Sequence, residues 1–290
     1  AVTVADIFNV ITDPKILEVL QKQVKLECER VNSQQESKQE DKIIYNILSG
    51  MFGDKAVVHQ AWLRDLAKRF ELENLSQLSS KDLFNKDQTN IQQYFFYDDE
   101  DGRASFNSFL NQYKNQSDWH IIKKDHFVLI MSSQNGKKME IYANYPASQS
   151  EGPEAIEKIL EKRDIETIVV VHRGHSYHVS KTIERIPTTA KIVSLGSCGG
   201  YSTVHQVLSM APNAHILSTK GTGTMAVNDL LLKELNLKIL SGEDIIWPEF
   251  WGRIERKLGH NEDFKNYVRP DKNTGLMFLR TYYNELENTK

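Results

Sequence analysis

The sequence has few cysteines, no long apolar run and no excess of one charge. Its two cysteines, Cys28 and Cys198, cannot form a disulfide framework, so each is treated as a free thiol. The longest apolar runs, such as residues 127–131, fall far short of the roughly 20 residues that a membrane helix needs, which excludes a transmembrane segment. Its 36 basic and 39 acidic residues give a net charge of −3. We therefore do not expect nucleic acid as a partner.

Glycine and proline are scarce in the first part of the chain. Residues 1–115 hold three of the 15 glycines and one of the 7 prolines. A segment poor in both and rich in Gln, Lys, Glu and Leu is typical of helices, whereas frequent Gly and Pro indicate short elements and tight turns. A chain of 290 residues is also long enough for about two domains of ordinary size. We predict a helical N-terminal region over 1–115 and an α/β domain over 116–290.

Local signals support helices in the first region. Asp13 followed by Pro14 is a helix start, and the polar stretch 33–41 is a loop or a solvated helix end. A further helix is indicated by four large apolar residues spaced four apart: Val58, Trp62, Leu66 and Phe70. The chain begins at Ala1 without a charged and then apolar leader, so we expect a processed product or a piece of a longer chain and predict no compartment.

Strand and helix patterns alternate after about residue 116. Asn135-Gly136 between two β-rich runs predicts a hairpin, and the continuous apolar run 168–171 predicts a central strand buried on both faces. A further central strand is predicted over 192–195. Helices are predicted from Pro153, over 202–210 and over 225–235, with a strand over 214–218 between the last two. This rhythm predicts a parallel-cored sheet with helices on both faces. Ligand sites in such sheets lie beyond the carboxyl ends of the strands.

Two of those strand ends carry reactive residues. His175 follows strand 168–171, and Cys198 follows strand 192–195 inside the run GSCGG. If the two strands are parallel neighbours, their ends lie roughly 5–10 Å apart. An imidazole or a helix N-terminus favours the thiolate form of a cysteine, and a helix is predicted near Ser202. The sequence thus predicts an activated thiol among small residues that leave room for a substrate.

Other histidines and acids near these strands have alternative interpretations. His172 competes with His175 as the base, but His175 follows Gly174 at the strand tip, so His172 is predicted to be packed and His178 to begin the next helix. Zinc binding by all three would require a continuous helix there, which the preceding strand argues against. The acidic run 98–101 lacks the first acid and the bidentate glutamate of a calcium loop, so a solvated acidic turn is predicted.

The pattern of a strand ending in Gly174-His175 and a later strand ending in Ser197-Cys198-Gly199-Gly200 resembles the caspase-like cysteine peptidases. That group contains caspases, separase, legumain, clostripain, gingipains and the CHAT-type domains. The resemblance covers roughly residues 120–245 and implies a three-layer α/β/α sandwich. Two departures exist: Ser176 stands where most members have glycine, and the spacing from histidine to cysteine is 23, against roughly 50 in caspases. A compact, bacterial-type member is therefore the better comparison.

The resemblance implies an endopeptidase that acts through a Cys-His dyad. Cys198 would attack the peptide carbonyl, and His175 would protonate the leaving amine. Backbone amides in the two turns, at Gly174, Ser176, Cys198 and Gly199, would hold the oxyanion. Asp229 is a candidate acid for binding an Arg or Lys side chain of the substrate, or else an ordinary acid at a helix N-terminus.

No metal or cofactor is expected, and the expected partner is a protein or peptide substrate. The alternative interpretation is a catalytically silent caspase-like module that binds or regulates. Activation by processing, by a regulatory partner or within a larger parent chain is also open. Cys28 lies among acidic neighbours in a helical pattern, which makes it a poor nucleophile.

Overall fold

The computed structural model describes residues 4–5, 11, 13–52, 76–134, 136–259 and 261–287. The predicted helix at 58–70 lies outside these residues. The chain divides into two compact units, one formed by Ala1–Leu75 with Lys272–Lys290 and the other by Ser76–Asp271.

The strands are β1 (Gln77–Leu78), β2 (Thr89–Phe96), β3 (Trp119–Lys123), β4 (Phe127–Gln134), β5 (Lys137–Asn144), β6 (Val169–Arg173), β7 (Ile192–Leu195), β8 (His215–Thr219), β9 (Ile245–Ile246) and β10 (Tyr267–Val268). The α-helices are α1 (Pro14–Ser33), α2 (Gln39–Phe52), α3 (Glu100–Tyr113), α4 (Glu151–Arg163), α5 (Val179–Ile183), α6 (Val204–Met210), α7 (Met225–Leu240), α8 (Trp247–Leu258) and α9 (Thr274–Glu287).

The first unit is helical and contains α1, α2 and α9. The predicted helix start is confirmed: the Asp13 side chain accepts a hydrogen bond from the Lys15 amide at 2.9 Å, and Pro14 opens α1. The polar stretch after residue 33 separates α1 from α2. A small apolar core joins the three helices, and it includes Val24, Ile43, Ile47, Leu48, Met51 and Phe278.

The second unit is built on a mostly parallel sheet of eight strands in the order β10-β8-β7-β6-β2-β5-β4-β3. The five strands from β8 to β5 in that order run parallel, and antiparallel strands extend both edges. The predicted hairpin is confirmed, because β4 and β5 pair with Gln134 opposite Lys137. The two central strands predicted to be neighbours, β6 and β7, do pair in parallel.

Helices cover both faces of this sheet. Alternate residues of a strand point to opposite faces, so Ile91 and Tyr94 of β2 belong to different cores. Tyr94 packs with apolar residues of α3, α7 and α8, whereas Ile91 packs with Ile156 and Leu160 of α4. The prediction of an α/β protein with a layered, mostly parallel sheet is confirmed at this level. Among the described residues, no helix is long and apolar enough to cross a membrane.

The unit boundary differs from the one predicted after residue 115. It falls at Leu75–Ser76, because β2 lies in the middle of the sheet between β5 and β6, and α3 packs on it. Glycine and proline counts placed these residues with the helical region, since only Gly102 occurs in them. The last helix, α9, also belongs to the first unit rather than to the α/β unit.

Candidate active site

His175 and Cys198 lie at the same level beyond the carboxyl ends of two adjacent strands. In the parallel register of β6 and β7, His172 is opposite Leu195, and each candidate follows three residues later. Both side chains line one cavity of about 300 Å³, together with Gly174, Ser197 and Gly223 among others. The fold therefore places at one cavity the two residues that the sequence singled out.

Cys198 is exposed on a turn that backbone contacts hold in place. Gly199 adopts the left-handed conformation at φ 68°, and its amide donates to the Gly221 carbonyl at 2.9 Å. The Gly199 amide is therefore already used, which corrects its assignment to the oxyanion site. The following helix also differs from the prediction: a 3₁₀ turn, Gly200–Thr203, comes first, and α6 has only seven residues. A strong helix dipole at the sulfur is consequently not available.

The backbone before Cys198 packs closely against the end of β8 and the helix that follows it. Asn228 of α7 donates its amide to the Gly196 carbonyl at 3.0 Å, and the Thr219 hydroxyl donates to the Ser197 carbonyl. A β-carbon at position 196 would lie 2.0 Å from Asn228 Oδ1, so only glycine fits there. The hydroxyl of Ser197 is buried and has no hydrogen-bond partner within the described part of the chain. Ser197 is among the residues that line the cavity.

His175 is partly exposed and contacts a carboxylate. Its Nε2 lies 3.2 Å from Oδ2 of Asp101, which belongs to the first turn of α3. The ring also stacks on Tyr177, with 5.1 Å between the ring centroids. Among the described residues that line the cavity, Asp101 is the one carboxylate.

His172 is buried and supports the backbone of His175, as a packed histidine would. Burial lowers its pKa to about 4, so the ring is neutral near pH 7. Its Nε2 lies 3.2 Å from the His175 carbonyl, which can only accept, so Nε2 carries the proton. Its Nδ1 must then accept from the Thr182 hydroxyl at 2.7 Å, and Thr182 in turn accepts from Tyr97 at 2.6 Å. Burial raises the pKa of Tyr97 to about 12, which keeps this donor protonated.

His178 joins the turn after β6 to the start of α3. It ends the 3₁₀ turn Ser176–His178, immediately before α5. Its Nε2 lies 3.0 Å from Oδ2 of Asp99, and its ring stacks on Tyr97 at 4.4 Å. Burial lowers the pKa of His178, so a neutral ring donating to the carboxylate is favoured near pH 7. His175 and His178 thus contact different carboxylates, Asp101 and Asp99, while His172 contacts neither. Asp99 caps α3, and Glu100 and Asp101 form its first turn.

Asp229 lies on α7 and is paired within the protein. Its Oδ1 is 2.6 Å from Nη2 of Arg173, whose side chain is only 3% exposed, and its Oδ2 accepts from Ser108. Arg173 lines the cavity, whereas Asp229 is not among the lining residues that the structure describes. This geometry favours the ordinary structural interpretation of Asp229 over a site for a substrate cation.

The remaining oxyanion candidates differ in their position relative to the cavity. Gly174 lines the cavity, whereas Ser176 begins the 3₁₀ turn that follows and is not among the described lining residues. Among the described residues, the amides of Ser176 and Cys198 have no protein acceptor. Cys28, the second thiol, contacts Asn46 Oδ1 at 3.3 Å in the helical unit.

No family model, curated protein or solved structure matches the chain. The class that the fold and site define is an α/β protein with a His- and Cys-lined cavity at the carboxyl edge of a mostly parallel sheet.

Proposed function

We propose that the chain is a caspase-like cysteine endopeptidase that uses Cys198 as nucleophile and His175 as general acid and base. The observation that carries the proposal is the position of these two residues. They follow adjacent parallel strands at equal distance and line one cavity. The mostly parallel sheet, covered by helices on both faces, supports the resemblance to the caspase-like group.

The reaction begins with proton transfer from the Cys198 thiol to His175 and attack of the sulfur on the substrate carbonyl carbon. The amides of Cys198 and Ser176 hold the oxyanion of the tetrahedral intermediate. When the C–N bond breaks, His175 gives its proton to the leaving amine, and a thioester remains on Cys198. Water then attacks the thioester, His175 takes a proton from the water, and that proton returns to the sulfur as the acid leaves.

Selective alkylation tests whether the thiol is activated. With limiting iodoacetamide and mass spectrometry of the products, we expect Cys198 to be labelled at least tenfold faster than Cys28. His175→Ala should remove most of that advantage. His120→Ala on the exposed edge strand β3 is the control and should leave it unchanged. Equal, slow labelling of both cysteines would contradict the proposal.

Cleavage of a mixed peptide library tests the reaction itself. Cys198→Ala should abolish cleavage, and His175→Ala should slow it by about 10²- to 10⁴-fold, the usual contribution of general acid–base catalysis. A wild-type protein that is inert in every activating condition would instead support the alternative, a caspase-like module that only binds or regulates.

A further inference from the structure

We propose that Asp101 is the positioning residue for His175, so that the site works as a Cys-His-Asp set rather than a dyad. The inference rests on the proposed function. Its basis is the 3.2 Å contact between Asp101 Oδ2 and His175 Nε2, made by two residues that are 74 positions apart in the sequence.

The start of α3 holds Asp101 in place. The Asp99 carboxylate caps this helix by accepting from the Gly102 amide at 2.6 Å. Gly102 packs so closely on the chain that a β-carbon there would lie 2.0 Å from the Tyr97 carbonyl oxygen. The Asp101 backbone, between these two residues, therefore belongs to a fixed helix turn at the cavity edge. Asp101 lines the cavity from this turn.

Two neighbouring acids of the run 98–101, Asp98 and Asp99, have other partners. Asp98 forms an ion pair with Arg103 at 2.7 Å, and Asp99 binds His178 and the Gly102 amide. Asp101 is the member of the run that contacts the candidate base and lines the cavity. Asp98 therefore serves as a matched control for Asp101, because it is a nearby acid that does not contact His175.

The contact determines what His175 can do. A carboxylate only accepts, so it selects the tautomer with the proton on Nε2 and leaves the Nδ1 lone pair to take the thiol proton. After that transfer the carboxylate also stabilises the imidazolium ion. The Asp101 side chain is 62% exposed, so solvent screens the pair, and the effect should be far smaller than for a buried carboxylate.

Three variants separate the effect of the Asp101 hydrogen bond, the effect of its charge and the effect of losing any nearby surface charge. Asp101→Ala removes both the acceptor and the charge, Asp101→Asn keeps an acceptor, and Asp98→Asn makes the same charge change beside the site. We expect Asp101→Ala to lower both the Cys198 alkylation rate and the kcat for a library-derived peptide about tenfold, with KM nearly unchanged. Asp101→Asn should fall between it and wild type, and Asp98→Asn should match wild type.

Nitrogen NMR of ¹⁵N-histidine-labelled protein gives a readout that does not require peptidase activity. With the ring neutral, His175 should be in the Nε2–H tautomer in wild type and Asp98→Asn, and in a tautomer mixture in Asp101→Ala. If the wild-type protein cleaves no peptide, the proposed function is refuted. A tautomer mixture in Asp101→Ala would still support the positioning of His175 by Asp101 in that case. A wild-type spectrum or alkylation rate in Asp101→Ala would overturn the inference. Faster alkylation or faster peptide cleavage in Asp101→Ala would also overturn the inference, because the contact between Asp101 and His175 would then be inhibitory.

Discussion

The buried Arg173 forms an ion pair with the partly buried Asp229, in which Nη2 lies 2.6 Å from Oδ1, beside the cavity that His175 and Cys198 share. Arg173 ends β6 only two residues before His175, while Asp229 lies on α7. Ser108 of α3 adds a hydrogen bond to the same carboxylate. The pair therefore joins three elements that position the site, and each charge neutralises the other in a place with little water.

Asp229→Asn should lower the free energy of unfolding by about 3 kcal/mol, measured by urea denaturation. Removing one charge leaves the Arg173 guanidinium buried without its counterion, which typically costs about 3–5 kcal/mol, and the amide retains part of the hydrogen bonding. Asp98→Asn breaks an exposed pair with Arg103 and should cost less than about 1 kcal/mol.

The same variant separates the two interpretations of Asp229. A binding site for a substrate Arg or Lys requires a carboxylate that is free to pair, so Asp229→Asn would then change the preferred residue in a peptide library at nearly unchanged stability. A structural role predicts the reverse, with lost stability and an unchanged preference. The second result is expected from the ion pair.

His172 should make stability depend on pH between about 4 and 6.5. Because burial lowers its pKa to about 4, the unfolded chain binds this proton more readily than the folded chain across that range. Stability from the neutral ring is therefore complete above about pH 6.5 and decreases as the pH falls towards 4. From pH 7 to pH 5 the loss attributable to His172 should be about 2 kcal/mol.

The measurement is urea denaturation at pH 7 and pH 5 for wild type and His172→Gln. The variant should be less stable at pH 7, since it breaks the contacts to Thr182 and to the His175 carbonyl. Its loss between the two pH values should be smaller than that of wild type by about 2 kcal/mol. An equal loss in both proteins would contradict the assignment of a neutral, buried His172.

The strands that bear the site could be predicted because their signals are local. Val169–Val171 are continuous and apolar, as expected for a strand buried on both faces, and the run from Ile192 to Leu195 is apolar apart from Ser194. Strand β2 lacks such a signal because Asn90, Gln92 and Gln93 interrupt it, although all three are buried. Gln92 bonds to Asn236 at 2.9 Å, across 144 positions of sequence. Such a partner cannot be predicted from local pattern.

The partners of the candidate base were missed for a related reason. Asp101 belongs to an acidic run whose composition resembles a calcium loop or a solvated turn. Only the parallel pairing of β2 with β6 brings the start of α3 beside His175. The run did hold one usable signal, since Asp99 followed by Glu100 and Asp101 fits a helix N-cap with acids in the first turn.

Gly196→Ala should damage the site through a steric clash. The new methyl carbon would lie 2.0 Å from Asn228 Oδ1 and 2.6 Å from its Cγ. Asn228 is buried and holds the Gly196 carbonyl through its amide, so it cannot turn away without breaking that bond. Overpacking of this kind costs about 1–3 kcal/mol. We expect unfolding in urea to show a loss of about 2 kcal/mol, with slower alkylation of Cys198 because its turn is displaced.

Gly252→Ala is the matched control, because that glycine lies within α8 and a methyl group there would first meet Arg256 Nη1 at 3.6 Å. It should stabilise the protein by about 0.5–1 kcal/mol, since alanine favours helices. In the Gly196→Ala background, Asn228→Ala removes the clash together with the hydrogen bond. The two changes should therefore cost less together than the sum of their separate costs. A Gly196→Ala protein with wild-type stability and labelling would show that the contact with Asn228 does not hold the nucleophile turn.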